Sequence, residues 1–145
     1  MSEVNKAIVR RVFDEYLNRH NTALHSELYG ADSVYRAPGV GELRGEAHRQ
    51  FLLSVLSAFP DGRFTVDDLL AEGDKVVSRW TFVGTHRGEF MGIAPTGKQV
   101  TNTGTTIGRI VNGKIVEEWA ERDSLGLMQQ LGAVTTAKVE EHVAA

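Results

Sequence analysis

Near the end of the chain the run Lys114-Ile-Val-Glu-Glu-Trp-Ala-Glu-Arg-Asp123 reads as a strand. Alternation along a pleated backbone then sets Ile115, Glu117, Trp119, Glu121 and Asp123 on one face. An acid that shares a face with an indole is equipped for proton transfer, because apolar surroundings disfavour the carboxylate and lift its pKa toward neutrality, where acid/base work is most effective. Asp123 is the candidate catalytic residue on this reading. A second reading stands beside it: Asp123 immediately precedes a closing helical turn, where an Asp or Ser side chain accepts from free backbone N–H groups, and Ser124 could serve that purpose equally.

Other side chains are candidates for lining a site. Glu117 faces the same way as Asp123, although a strand carboxylate of this kind can equally pair with Arg79 or Arg109 on a neighbour. Tyr16, Trp80 and Trp119 offer aromatic wall rather than catalytic groups, since an indole N–H only donates. His86, in Gly-Thr-His-Arg-Gly, is either a proton-transfer group or a brace at a hairpin edge. Arg36 would suit a carboxylate or enolate oxygen of a ligand, or else pairs with Glu42 or Glu46. His20, His25, His48 and His142 lack metal-ligand spacing, so no metal is expected.

These residues must be positioned by a recognisable series of elements. Val4, Ile8, Val12 and Tyr16, with Val9, Phe13 and Leu17 beside them, predict an amphipathic helix over residues 3–19. A short helical segment follows over Ala23–Leu28, then an extended piece over Ser33–Ala37 stopped by Pro38-Gly39. A helix near Glu46–Phe59 carries Phe51, Leu52, Val55, Leu56 and Phe59 and ends at Pro60-Asp61-Gly62. Residues 63–72, 75–87, 98–111 and 113–123 predict strands, with hairpin signals at Glu72-Gly73-Asp74 and Asn112-Gly113. The Gly- and Pro-rich stretch 88–97 predicts a loop at the rim of a pocket and near a dimer contact. A closing helical turn covers Ser124–Leu131. Helices first and a meander afterwards indicate an α+β domain whose bent antiparallel sheet wraps around the N-terminal helices.

Composition narrows the function. A chain of 145 residues allows one domain, expected over residues 1–132 with a tail over 133–145. Sixteen basic and 19 acidic residues, net charge −3, leave no positive excess for a phosphate backbone, so nucleic acid is not an expected partner. The absence of cysteine removes disulfides, thiolate nucleophiles and sulfur-held metals. The first residues lack a secretory pattern and no apolar run reaches bilayer length, which makes a cytoplasmic protein with no membrane partner the expectation.

Several segments together carry a resemblance: Ala58-Phe-Pro-Asp61, Glu72-Gly-Asp74, Arg79-Trp80, the stretch from Gly84-Thr-His-Arg-Gly-Glu-Phe-Met-Gly-Ile-Ala-Pro-Thr-Gly to Lys98, Asn112-Gly113, Glu117 with Trp119 and Asp123, and Gln130-Leu-Gly132. In order and spacing, from Asn5 to Gly132, the chain resembles the SnoaL-like polyketide cyclase family. The resemblance implies the cone-shaped fold of the nuclear transport factor 2-like superfamily, in which helices close a curved sheet around a deep pocket, and a homodimer formed through the sheet. It also implies closure of a ring of a polyketide ester by intramolecular aldol condensation without metal or cofactor, with Asp123 at the position of the acid/base aspartate.

The chain departs from the family pattern at two places where relatives often carry histidine: the segment Tyr35-Arg36-Ala37-Pro38, and Glu118, just before Trp119. Pocket charge and hence substrate are altered. Three functional classes follow: a cyclase or isomerase acting on an apolar carbonyl-bearing small molecule, a non-catalytic binding or dimerisation protein on the same fold, and a hydrolase or dehydratase with a second polar group beside the acid.

Overall fold

A computed structural model describes residues 2–134, so the tail beyond Val134, with His142, lies outside the described residues. The first helix, α1 (Ser2–Arg11), continues through a wider π-type turn over Val12–Leu17, and together they bury Val9, Val12, Phe13, Tyr16 and Leu17. A short tight turn at Thr22–Leu24 leads into α2 (His25–Leu28), and a hairpin of β1 (Tyr29–Ala37) and β2 (Gly41–Arg44) follows. Strand β1 is longer than its apolar core Ser33–Ala37 predicts, and β2 carries no strong apolar signal because it forms the exposed edge of the sheet.

Helix α3 (Glu46–Ala58) has an acid in its first turn, which favours the positive end of the helix dipole, and Pro60 stands just past its C-cap residue Phe59. Four long strands come next: β3 (Arg63–Glu72), β4 (Lys75–Thr85), β5 (Gln99–Val111) and β6 (Lys114–Arg122), and α4 (Ser124–Gln130) closes the described chain. The six strands lie in the order β2-β1-β6-β5-β4-β3. All neighbours are antiparallel except β1 and β6, which pair in parallel because the chain crosses from one to the other through everything between them. The α+β architecture is therefore as the sequence indicates, with a mixed rather than purely antiparallel sheet.

One face of the sheet packs on α1, its π-type turn and α3. Val76, Trp80 and Phe82 of β4, with Val100 and Ile110 of β5, join Phe13, Tyr16 and Phe59 in a continuous buried core. Asn112 and Gly113 both take positive φ, 51° and 79°, as a type I′ hairpin turn requires. Immediately after it the pairing slips: Ile110 opposes Ile115 but Arg109 opposes Glu117, leaving Val116 as an extra residue. This bulge reverses the alternation of everything that follows on β6. Ile115 stays in the core, but Glu118, Ala120 and Arg122 now point inward, while Glu117, Trp119 and Glu121 belong to the outer face.

The stretch 88–97 does not form the rim of the cavity. Arg87 and Gly88 donate to the carbonyl of Ala58, and Phe90 buries itself edge-on against Phe59, 5.4 Å between ring centres. An apolar side chain in the middle of a glycine-rich loop draws the loop onto the end of α3.

Candidate functional site

Between α1, α3 and the inner face of the sheet lies a cavity of about 90 Å³. Its walls are largely apolar: Val12, Phe13, Leu52, Val55, Phe64 and Val76 are among them. Trp80 is also in the wall, its indole N–H donating to Thr106 Oγ1 at 3.0 Å. Gly104 stands opposite Trp80 across the β4–β5 ladder, and any side chain there would collide with the indole ring.

Into this apolar space project four acid/base or hydroxyl-bearing groups on one side: Glu118 of β6, His48 of α3, and Tyr29 and Tyr35 of β1. Glu118 is 9% exposed and His48 1%. His48 Nε2 lies 3.8 Å from Glu118 Oε1, and neither ring nitrogen has a hydrogen-bond partner among the described residues. Tyr35 stacks flat on the imidazole at 4.4 Å, and Tyr29 meets it edge-on at 5.1 Å. Gly108 faces Glu118 across the β5–β6 ladder, which leaves room around the carboxyl group.

Burial governs the protonation of this cluster. It lifts the Glu118 carboxyl to about 7, opposed by hydrogen bonding from the Tyr29 hydroxyl. It lowers His48 to about 3, helped by the repulsion of nearby His25, so the imidazole is neutral near pH 7. The phenols of Tyr29 and Tyr35 are raised by the same cause, Tyr35 to about 12, and stay protonated donors. Near neutral pH the cavity therefore holds a carboxyl group able to take or give a proton, with neutral donors beside it and the Arg122 guanidinium further along the same lining.

Of the candidate site residues read from the sequence only Trp80 lines this cavity, together with Tyr35 and Glu118 from the two places where the chain departs from the family pattern. Asp123 does not occupy a dry pocket. It is exposed, and its Oδ1 accepts from Gly126 N at 2.9 Å as the cap of α4. Glu117 pairs on the outer face, accepting from Arg109 Nε at 2.8 Å and from Arg36 at 2.9 Å. Arg36 also reaches Glu42 at 3.3 Å and lies over the Trp119 ring at 5.6 Å, so Arg36 and Trp119 are outer-face residues as well. For Glu117, Trp119 and Asp123 the reason is Val116: one inserted residue turns the expected inner face outward. Tyr16 is fully buried in the core and bonded to His25 Nδ1 at 2.7 Å. His86 is sealed between Phe59 and the 88–97 loop, where its Nδ1 and Thr96 Oγ1 are 3.0 Å apart.

The sequence held a signal for His48. It precedes Phe51, Leu52 and Val55 by three, four and seven residues, which places it on the apolar face of α3. Ala120, a small apolar residue out of phase with Ile115, was the corresponding hint of a bulge in β6. Among the described residues no three His, Asp or Glu side chains converge as a metal site would require, and no helix is long and apolar enough to cross a membrane.

Residues 7–131 match the family described as SnoaL-like polyketide cyclase. Among solved structures the chain is similar to AclR, a candidate hydroxylase from Streptomyces galilaeus, at 28% identity and TM-score 0.88, covering 100% of this chain and 95% of that one. It is also similar to IdmH, a candidate polyketide cyclase from Streptomyces antibioticus, at 29% identity and TM-score 0.77, covering 88% and 98%. A candidate SnoaL-like polyketide cyclase from Jannaschia sp. CCS1, at 23% identity and TM-score 0.85 with 92% and 95% covered, shares the fold. No curated protein matches the chain.

Proposed function

The chain belongs to the SnoaL-like polyketide cyclase family, and from that premise we propose that it is a cofactor-independent acid/base enzyme acting on an enolisable carbonyl compound, with Glu118 as the proton-transfer group. The observation that carries this reading is a lone carboxyl group in an apolar cavity, raised by burial to about 7 and flanked by neutral donors. As carboxylate, Glu118 takes a proton from the carbon beside a carbonyl, and the electron pair moves to the carbonyl oxygen. Tyr29, Tyr35 and neutral His48 supply donors for that oxygen. The enolate carbon bonds to a second carbonyl carbon of the same molecule, and the alkoxide recovers the proton from Glu118. Substrate and product are isomers, so one carboxyl group serves both proton steps.

The cavity is smaller than the ~150 Å³ that accommodates benzene. It therefore receives the reacting fragment of a substrate while the remainder lies toward the mouth. The catalytic assignment falls on Glu118 rather than Asp123 because a solvated cap carboxylate lacks the desolvation the reaction draws on. Turnover of β-dicarbonyl and polyketide-ester substrates by wild type and Glu118→Gln tests the reading. A loss of about 10²–10⁴-fold is expected, and equal rates refute it. A product that gains an oxygen atom, the chemistry suggested by the description of AclR, would refute it too.

A dehydratase reading has one observation of its own, the 3.8 Å between Glu118 and His48, a separation that a substrate hydroxyl could bridge. Loss of water from the product would favour it. The homodimer implied by the family would use the outer sheet face bearing Trp119, Ile107 and Val77; light scattering on wild type and Trp119→Glu tests this, with a shift toward monomer expected.

A further inference from the structure

We propose that Arg122 selects substrates bearing a carboxylate next to or beyond the enolisable carbonyl, so that the site takes a keto acid in preference to the corresponding neutral ester. The inference rests on the assignment of the Glu118 cavity as the reaction site and names the class of molecule it takes.

Glu118 and Arg122 are the acidic and the strongly basic side chain of the cavity lining. Both come from the inner face of β6, four residues apart, which separates their Cα atoms by about 13 Å at the usual rise per residue. Helix α3 supplies a partner to each: His48 lies beside Glu118, and Phe51, one turn further along, lies under Arg122, whose guanidinium carbon is 5.2 Å from the ring centre. Ala120, between the two charges, projects only a methyl group and leaves a slot from one to the other. Arg122 is half-buried at the last position of β6, the open end of the inner face, and also borders a shallow surface depression lined by Arg79, Thr103, Thr105, Glu121 and Asp123.

Other sheet arginines have carboxylate partners, while Arg63, exposed at the start of β3, has none among the described residues and lies outside the cavity. Arg36 has Glu42 and Glu117, Arg79 has Asp67 and Asp68, and Arg109 has Glu117 and Asp74. Arg122 has none within ion-pair distance among the described residues. A half-desolvated guanidinium held over an aromatic face keeps its in-plane donors available, and a carboxylate is the planar anion that takes two of them at once. A ligand seated this way presents its anion at the mouth and its acidic C–H to Glu118 at the inner end.

The probes are 4-acetylbenzoate and its methyl ester, alike in shape and both carrying an enolisable methyl ketone. Binding is followed by Trp80 fluorescence in a Trp119→Phe background, since these are the two tryptophans of the chain. The acid should bind about tenfold more tightly than the ester. Arg122→Met should erase that preference while leaving ester affinity within about twofold, and Arg122→Lys should restore part of it. Equal binding of acid and ester by the wild type overturns the proposal. So does an equal loss of both in Arg122→Met, which would assign Arg122 a packing role against Phe51. Deuterium exchange at the acetyl methyl group is read separately by NMR: the C–H proton passes to the Glu118 carboxylate, the electron pair to the carbonyl oxygen, and a deuteron returns. Acid preference without exchange would sustain the anion selection and refute the reaction assigned to Glu118.

Discussion

Glu117 and Glu118 share a peptide bond, and the pleat sends them to opposite faces of β6; the bulge at Val116 decides that Glu118 is the inner one, so the two meet opposite electrostatic settings. On the outer face Glu117 accepts hydrogen bonds from Arg109 and Arg36, which hold its carboxyl below the ordinary carboxylate range. On the inner face Glu118 meets aromatic and aliphatic walls, and burial raises it to about 7. The same side chain is thus an anion near neutral pH in one place and divided between acid and carboxylate in the other. Residue type sets what a carboxyl group can do, and the face it occupies sets what it does.

The sharpest way to break this comparison is to neutralise each member separately. Glu118→Gln should lose about 10²–10⁴-fold in turnover while Glu117→Gln stays near wild type; comparable losses in both would dissolve the distinction between the faces. The wild-type kcat/KM should also rise with pH through an inflection near 7, as the base form of Glu118 accumulates.

Stability should separate the two next. Between its ordinary 4.5 and about 7 the folded protein keeps a proton on Glu118 that the unfolded chain releases, so this residue's contribution falls as pH rises across that window. A shift of that size corresponds to roughly 3 kcal/mol. His48 works in the opposite sense: its folded value of about 3 lies below the ordinary 6.5, so its contribution grows as pH rises from about 3 to 6.5. The two oppose each other in the wild type. Thermal denaturation of Glu118→Gln against wild type across pH isolates the acid, and its relative gain should grow from pH 4.5 to about 7 and level off above.

Asp123 sharpens the contrast from outside the cavity. Asp123→Ala should cost about 1 kcal/mol as the cap of α4 is lost. Asp123→Asn, which still caps, should denature and turn over close to wild type. A large loss of turnover in Asp123→Asn with an intact fold would return the proton-transfer role to this residue. The smallest effect belongs to Glu117→Gln. Its Tm should shift slightly, and less at high salt, because the Arg36–Glu117–Arg109 contacts are open to solvent screening.

The fold was largely legible because its signals are local. Helical spacing marked α1 and α3, Asn112-Gly113 marked the β5–β6 turn, and Pro60-Asp61-Gly62 marked the end of α3. The site was less legible because it depends on phase. Reading β6 as an unbroken alternation predicted an inner face of Glu117, Trp119 and Asp123, and a single bulged residue replaced it with Glu118, Ala120 and Arg122. Tyr16 is not in the cavity wall, and His86 takes the bracing role of its two readings, for a different reason. Chemically capable side chains can be absorbed by the core, and only packing tells which: Tyr16 is tied to His25, and His86 to Thr96.

Sequence alone determined the type and order of the elements, the absence of thiol chemistry, the mild negative charge and the family resemblance, since each follows from residue identity or from spacing along one element. Tertiary structure decided which carboxyl group is dry. Desolvation depends on contacts between β6, β1 and α3, segments remote from one another in the chain, and on one extra residue in a strand that shifts every later side chain to the other face.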